Sequence, residues 1–199
     1  MLVSGLISTQ GDDPGIRTHI MRKLHLGCGK NVKPGYLNID AFAEGEQIQN
    51  IDVLNMPYDE NSVDEIISEH MVEHLPFRDE EKFWREIYRV LRPKGVAIIE
   101  SPDMEWLCEQ FLRAEDDFKS FYQVGATDHY FGHGRSIEHR WGMITTHFFG
   151  NQNGGGQFHY NGYTKGKFLA IKDLLGFSDC SVQKILNKGA QCLVATYVK

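Results

Sequence analysis

The chain has little cysteine, and its four cysteines are far apart. They are Cys28, Cys108, Cys180 and Cys192, and no two of them form a Cys-x-x-Cys pair. This spacing argues against a structural zinc site and against a disulfide framework. Because such cysteine usage fits a reducing compartment, we expect a cytoplasmic protein.

Long apolar stretches and basic clusters are also missing. No segment approaches the roughly 18 apolar residues that a helix needs to cross a bilayer, so membrane insertion is not expected. The N-terminal residues lack the basic-then-apolar pattern of a secretory signal. The formal net charge is −6, and the longest run of Lys and Arg is Arg22-Lys23. The chain therefore lacks the cluster of positive charge that a nucleic-acid partner would require.

What is present predicts one globular domain. The 199 residues are 41% apolar and 24% charged, which is enough to bury a substantial core. We find no internal repeat and no linker that would divide the chain. Residues 1–22 are turn-rich and patternless and predict a loose N-terminal arm, whereas residues 23–199 form the predicted domain.

Short apolar runs alternate with helical segments from Lys23 onward. Strands are predicted in "KLHLG", "YLNID", "IQNIDV", "VDEIISE" and "VAIIES", and then in "CSVQKIL" and "CLVATYV", joined as a hairpin through "NKGAQ". Helices are predicted in residues 78–91, in "MEWLCEQFLRAEDDFKSFY" and in "KFLAIKDLLGF", the last with Thr164 as N-cap and Gly176 at its end. This order indicates an α/β fold with a mostly parallel seven-stranded sheet and an antiparallel last strand.

The first crossover of this sheet is unusually short. Only residues 28 to about 35 separate the first two strands, whereas a parallel crossover usually takes a dozen residues or more. At most one helical turn fits there, so we expect a clipped first crossover.

A glycine pair and an acid follow the first two strands. Ligands of open α/β sheets bind at the carboxyl ends of strands, which is where Gly27, Gly29 and Asp40 are expected. A dinucleotide site requires G-x-G-x-x-G and an acid about 20 residues further on. Here Val32 occupies the third glycine position, and Asp40 comes much too early. The reduced loop suits a nucleoside ligand that carries an amino-acid tail.

Four motifs in order resemble one family. "LHLGCG", "YLNID", "IDVLNMPYDENSVDEIISEHMVEHL" and "EIYRVLRPKGVAIIE" are similar to the successive motifs of class I S-adenosylmethionine (SAM)-dependent methyltransferases of the small type 11 kind. The resemblance runs from about Lys23 to Ser101 and resumes at "YTKGKFLAIKDLLGF". It implies a Rossmann-like α/β sandwich, SAM as the cofactor and a methyltransferase enzyme.

The resemblance also implies roles for single residues. Gly27, Cys28 and Gly29 would lie against the methionine part of SAM, with glycine chosen because a Cβ would collide with the ligand. The other implied cofactor contacts are Asp40 at the ribose hydroxyls, Asp52 and the backbone of Val53 at the adenine amino group, and Glu69 and His70 beside the sulfonium and its methyl group.

One position departs from the family pattern. The family often has an acid two residues before the first glycine, near the amino group of the ligand, and this chain has His25 there. A histidine cannot replace that acid. The ammonium group must therefore be recognised by carbonyls or by another acid.

Two histidines follow the fourth strand, where the family has the rim of its active site. Methyl transfer requires alignment of the acceptor, and it requires proton removal when the acceptor is a hydroxyl or an ammonium. Histidine is the natural base near neutral pH. His70 and His74 are four residues apart and share a face if the segment is helical, so both are predicted to be catalytic.

Metal binding is left open by two patterns, although no metal site is predicted. The run His70-x-x-Glu73-His74 resembles the E-x-x-E-H run with which some relatives bind a divalent ion, but it has His in place of the first Glu. A buried structural role for His74 is an equally simple interpretation. Five histidines further along the chain match no familiar zinc spacing: His129, His133, His139, His147 and His159.

Residues 125–163 form an irregular insert crowded with Gly, His and aromatic residues. A long irregular insert in a compact domain is usually functional or disordered, and the aromatic content argues against disorder. We expect a lid or acceptor pocket for a small molecule or a glycan or lipid precursor. Two other functions stay open: aminopropyl transfer from decarboxylated SAM, and SAM binding without catalysis.

Overall fold

The computed structural model describes residues 21–113, 146–187 and 190–199. The predicted N-terminal arm therefore lies outside the described residues, except for Met21 and Arg22. Residues 125–145 of the predicted insert lie outside them as well, and its remaining residues, 146–163, are described.

Seven strands and three α-helices are defined in this part of the chain, and residues 146–149 are helical as well. The strands are β1 (Lys23–Leu26), β2 (Leu37–Ile39), β3 (Ile48–Gln49), β4 (Val63–Glu69), β5 (Leu91–Pro102), β6 (Asp179–Asn187) and β7 (Ala190–Val198). The helices are α1 (Glu80–Val90), α2 (Met104–Arg113) and α3 (Lys165–Leu175), and a short 3-10 helix spans Val72–His74.

The strands form one sheet in the order β3-β2-β1-β4-β5-β7-β6. Every pairing from β3 across to β5 is parallel, and β7 runs antiparallel to both of its neighbours. The strand order reverses beside β1, because β2 lies on one side of it and β4 on the other. The predicted mostly parallel sheet with an antiparallel last strand is confirmed.

The clipped first crossover is also confirmed. Residues 27–36 connect β1 to the parallel strand β2 without a helix, and residues 27–62 as a whole contain no α-helix. The backbone N–H of Cys28 donates to the carbonyl of Ile39 at 3.1 Å and holds the loop after β1 against the end of β2. The connections after the first strands are therefore loops that lie directly at the carboxyl edge of the sheet.

Two predicted boundaries differ from the structure. The third strand comprises only Ile48–Gln49, because it pairs with a β2 of three residues and the chain then leaves the sheet edge. The fifth strand begins at Leu91 rather than at Val96, because Leu91 pairs with Val63. The register then shifts between Val63 and Glu65, so "RPKG" lies within the irregular start of β5 instead of separating it from α1.

The ends of α3 agree with the prediction from sequence. The side chain of Thr164 accepts a hydrogen bond from the backbone N–H of Lys167, as an N-cap does. Gly176 ends the helix in the left-handed conformation at φ 80°. Both signals are local, which explains why the sequence located them.

An aromatic cluster joins α1 and α3 to one face of the sheet. Trp84 of α1 is 2% exposed, and its ring contacts those of Phe83, Tyr163, Phe168 and Tyr197. Apolar residues of β1, β4, β5 and β7 complete this core.

The described residues include no helix long and apolar enough to span a membrane. The four cysteines all lie within the described residues, and none of them forms a disulfide.

Candidate active site

A cavity of about 680 Å³, here called the main cavity, lies at the carboxyl ends of the first four strands. Eight of the nine predicted site residues line it: Gly27, Cys28, Gly29, Asp40, Asp52, Val53, His70 and His74. The ninth, Glu69, lines a smaller cavity of about 390 Å³ that shares Gly27, Cys28 and His70 with the main cavity. We call this second space the acidic cavity, because Glu69 and Glu100 both line it.

The glycine loop after β1 has two residues in the left-handed region, Gly27 at φ 65° and Gly29 at φ 52°. A Cβ on Gly27 would overlap the side chain of Met71, so this glycine is required by a neighbouring side chain. The sequence interpretation had attributed that requirement to the ligand. A Cβ on Gly29 would meet no atom within 4 Å, and this part of the loop is therefore open on the cavity side.

Asp40 fastens this loop to the end of β2. One carboxylate oxygen, Oδ2, accepts a hydrogen bond from the N–H of Gly29 at 2.8 Å. The other, Oδ1, accepts from the N–H groups of Phe42 and Ala43 at 2.8 and 2.7 Å. Since Oδ2 accepts only one of these bonds, it retains a position for a further donor in the cavity.

Asp52 and Val53 lie at the opposite rim of the main cavity, after β3. The Oδ1 atom of Asp52 accepts from the N–H of Leu54 at 2.8 Å, and the side chain is exposed. The loop after β3 thus presents a carboxylate and backbone groups to a ligand.

Three comparisons with known proteins agree with this geometry. Residues 24–99 match the sequence profile of a family described as a methyltransferase domain. The chain is 37% identical over 93 residues to the ajmaline N-methyltransferase of Rauvolfia serpentina, and the match covers 43% of this chain. It spans about a third (31%) of the length of that curated relative.

Solved methyltransferase structures share the fold. The 1,6-didemethyltoxoflavin-N1-methyltransferase of Burkholderia thailandensis superposes with a TM-score of 0.54 at 13% identity, covering 89% of this chain and 70% of that protein. A SAM-dependent methyltransferase from Archaeoglobus fulgidus gives 0.55 at 14% identity, covering 90% and 86%. Residues 24–99 thus resemble a methyltransferase domain, and the described part of the chain shares the fold of these enzymes. The resemblance found in the sequence is thereby confirmed.

This chain has a buried histidine at the position where class I methyltransferases often have an acid. The side chain of His25 is 1% exposed, and its Nδ1 lies 3.1 Å from Oδ1 of Asn38. Its Nε2 lies 3.7 Å from Oε2 of Glu69. Burial lowers the pKa of His25, so the imidazole is neutral near pH 7 and this contact is not an ion pair.

The neutral state of His25 makes stability depend on pH. Because the pKa of His25 is lowered in the folded protein, the unfolded chain binds this proton more readily. The contribution of His25 to stability is therefore complete above its unfolded pKa of about 6.5 and is lost as the pH falls. We expect the free energy of unfolding to drop more steeply between about pH 7 and pH 5 in the wild type than in His25→Gln.

Urea titrations of both proteins across this pH range measure the effect. The difference between wild type and His25→Gln removes the contributions of the other histidines. A constant difference across the range would show that His25 titrates normally.

His70 lies where three cavities meet. Its backbone is in the left-handed region at φ 52°, and its side chain lines the main cavity, the acidic cavity and a third cavity of about 190 Å³. Its Nδ1 lies 3.2 Å from Oε1 of Glu73, and its Nε2 lies 3.0 Å from Oε1 of Glu100. Burial lowers the pKa of His70, but the hydrogen bonds to Cys192, Glu100 and Glu73 outweigh it and raise the pKa to about 12.

This charge state bears on the predicted catalytic role of His70. An imidazole that is protonated near pH 7 can donate hydrogen bonds and carry charge, but it has no lone pair with which to accept a proton. The geometry therefore favours His70 as a cationic group at the junction of the cavities and leaves His74 as the better candidate for a base.

The third cavity, here called the histidine cavity, is lined by His74, His147 and His159 besides His70. The segment around His159 is fixed to the 3-10 helix by backbone bonds, since the N–H groups of Tyr160 and Asn161 donate to the carbonyl of Glu73 at 2.8 and 3.2 Å. Burial lowers the pKa of His159.

Part of the predicted insert covers the main cavity. Gly155, Gly156, Gln157 and Tyr160 line it, although the sequence analysis gave none of them a role. A Cβ on Gly155 or Gly156 would overlap the ring of Phe42, so the glycine run allows the loop to approach the residue two places after Asp40. The run of three glycines in "NGGGQ" could have indicated a close contact at this position, but nothing in the sequence indicated that the contacting residue is Phe42.

Proposed function

We propose that this protein is a SAM-dependent methyltransferase whose acceptor is a small molecule or a glycan or lipid precursor. The observation that carries the proposal is the convergence of the glycine loop, Asp40 and Asp52 on one cavity that adjoins two others at His70. A nucleoside with a charged amino-acid tail requires such a division between an adenosine space and a polar space.

SAM would lie along the main and acidic cavities. Oδ2 of Asp40 would accept a hydrogen bond from a ribose hydroxyl. Asp52 and the backbone of Val53 would bind the adenine amino group. The methionine part would extend past Gly27 and Gly29 into the acidic cavity, which brings the sulfonium to His70. The known methyltransferases that share the fold include one with S-adenosylhomocysteine bound.

The charges around His70 suit a cationic ligand. Glu69, Glu73 and Glu100 lie around the junction, whereas His70 and Lys33 are the cations in contact with them. The carboxylates outnumber these cations, so an ammonium or sulfonium is attracted to the junction despite the positive charge of His70.

His74 is positioned to act on an acceptor. Its Nδ1 lies 2.9 Å from the carbonyl oxygen of Phe158 and must carry a proton to donate to it. The neutral ring then has its lone pair on Nε2, and His74 lines both the main and the histidine cavities. Leu75 and Tyr160 line the main cavity together with His74, and we place the acceptor beside these residues.

A small acceptor is supported by the size of these spaces and by the relatives. The main cavity measures about 680 Å³, which is within the range of small-molecule sites, and the adjoining histidine cavity adds about 190 Å³. The ajmaline and 1,6-didemethyltoxoflavin enzymes are named for small heterocyclic substrates. We propose a small-molecule acceptor for this chain as well, but neither of these two compounds in particular.

Calorimetric titration and turnover test the proposal together. We expect S-adenosylhomocysteine to bind with one site per chain, and labelled methyl groups to move from SAM to members of a small-molecule library. No binding at high micromolar concentration would defeat every SAM-based reading. If S-adenosylhomocysteine binds but no methyl group is transferred to any acceptor, the alternative of SAM binding without catalysis would be favoured.

Glu69 is proposed to replace the missing acid of the glycine motif. It lines the acidic cavity beside Gly27, and its carboxylate is 3.2 Å from Nζ of Lys33. Replacing it in Glu69→Gln should weaken S-adenosylhomocysteine binding by about 1 kcal/mol, because a charged hydrogen bond is lost at a group that is partly exposed.

A ligand without the amino group provides the control for this prediction. 5′-Methylthioadenosine has the same nucleoside but no ammonium, so its affinity should be equal for wild type and Glu69→Gln. Equal losses for both ligands would instead indicate damage to the loop. Unchanged affinity for S-adenosylhomocysteine would show that Glu69 does not contact the ammonium.

A further inference from the structure

Three metal-binding side chains converge in the histidine cavity. They are Glu73 and His74 from the 3-10 helix and His159 from the described part of the insert. One ligand atom from each lies within 4.8 Å of the other two. Residues 74 and 159 are far apart in sequence, so this cluster exists only in the folded chain.

Backbone carbonyls fix the orientation of both imidazoles. Nδ1 of His74 lies 2.9 Å from the carbonyl oxygen of Phe158, and Nδ1 of His159 lies 2.9 Å from that of His147. A carbonyl only accepts, so each Nδ1 carries the hydrogen and each neutral ring has its lone pair on Nε2. Metal-bound histidines are held in the same way, with the second ring nitrogen donating to an acceptor.

The carboxylate of Glu73 supplies an independent observation. Its side chain is 2% exposed, and its Oε1 lies 3.2 Å from Nδ1 of His70. Its Oε2 is buried and receives no hydrogen bond from any of the described residues. A buried carboxylate oxygen that receives no hydrogen bond is unfavourable unless a cation compensates its charge.

From these contacts we propose that Glu73 Oε2, His74 Nε2 and His159 Nε2 bind one divalent transition-metal ion. Two imidazoles and one carboxylate match the ligand preference of Zn²⁺ and its neighbours, which bind these atoms at about 2.0–2.2 Å. Three protein ligands leave a coordination position open toward the cavity. This site differs from the run His70-x-x-Glu73-His74, for which the sequence analysis left metal binding open, because His159 takes the place of His70.

A second cluster, formed by His70, Glu100 and Cys192, is a weaker candidate. Nε2 of His70 is already 3.0 Å from the carboxylate of Glu100, so these two groups satisfy each other. Cys192 provides a matched control, since a thiolate ligand gives Co²⁺ a charge-transfer absorption that nitrogen and oxygen ligands do not.

The ion would lower the pKa of an acceptor hydroxyl beside the sulfonium; His74 would then be its ligand, and the role of base proposed above would apply only to the metal-free protein. This role rests on the proposed methyltransferase function, whereas binding of the ion does not.

Metal titration of the full chain tests the site. After treatment with EDTA, wild-type protein should bind Zn²⁺ or Co²⁺ with one site per chain and unfold at a higher temperature with the metal. Affinity should fall by at least about tenfold in His159→Ala and Glu73→Gln, and it should be unchanged in Cys192→Ser. The Co²⁺ spectrum of the wild type should show no thiolate absorption.

Several results would overturn the site. These are the absence of a stoichiometric site in the wild type, unchanged affinity in His159→Ala, and a thiolate absorption that disappears in Cys192→Ser.

Binding of S-adenosylhomocysteine to His159→Ala shows that the variant is folded, because His159 does not line the main cavity. If a variant unfolds, the wild-type Co²⁺ spectrum still decides between the clusters. Metal binding by a wild type that does not bind S-adenosylhomocysteine would refute the proposed function and leave the metal site standing.

Discussion

Replacing Asp40 with alanine should weaken the binding of S-adenosylhomocysteine by about 1–3 kcal/mol, or roughly 5- to 150-fold. The carboxylate accepts hydrogen bonds from the N–H groups of Gly29, Phe42 and Ala43. Alanine removes all three of these hydrogen bonds together with the proposed bond to the ribose. The glycine loop then loses its connection to the end of β2, so the empty site is less well ordered for the ligand.

Asp40→Asn is the matched variant for this test. It keeps one carbonyl oxygen for the N–H groups of Phe42 and Ala43, but the NH₂ group that replaces Oδ2 can accept a hydrogen bond from neither Gly29 nor the ribose. We expect an affinity between those of the wild type and Asp40→Ala. Unlike Glu69→Gln, both variants should also weaken binding of 5′-methylthioadenosine. Calorimetric affinities within a factor of about two of the wild type would place the ribose elsewhere.

Trp84→Ala should lower the free energy of unfolding by about 3–5 kcal/mol, the usual cost of deleting a large buried aromatic side chain. Its ring is 2% exposed and contacts four other aromatic rings that connect α1, α3 and β7. Alanine leaves a cavity that these rigid neighbours cannot close. Urea unfolding followed by circular dichroism measures the loss.

Two controls define the origin of this effect. Trp84→Phe should cost less, because it keeps an aromatic ring in the cluster and Nε1 of Trp84 donates to none of the described residues. Leu186→Ala should change stability by less than about 0.5 kcal/mol, since Leu186 is 77% exposed. A loss below about 1 kcal/mol for Trp84→Ala would mean that the cluster repacks.

Trp84 also separates stability from ligand binding. It does not line the main cavity, so Trp84→Ala should bind S-adenosylhomocysteine with nearly wild-type affinity wherever it remains folded. Asp40→Ala should show the opposite pattern, with a larger loss of affinity than of stability.

The sequence predicted best where the determining signals are local. The strand "VDEIISE" agrees with β4, Val63–Glu69, because its apolar residues are bounded by turn residues. The ends of α3 followed from Thr164 and Gly176, whose capping roles depend only on neighbouring backbone. It was less accurate at β3 and at the start of β5, because those boundaries depend on pairing with a neighbouring strand.

By itself, the sequence determined the order of strands and helices along the chain, the clipped first crossover and the positions of Gly27 and Asp40 directly after strands. These follow from the spacing of residues along the chain. Only the tertiary structure decided that Met71 requires Gly27, that Phe42 meets the glycine run, and that His159 joins Glu73 and His74. Such contacts link segments that are separate in sequence, and the packing of the whole sheet with its loops sets their distances.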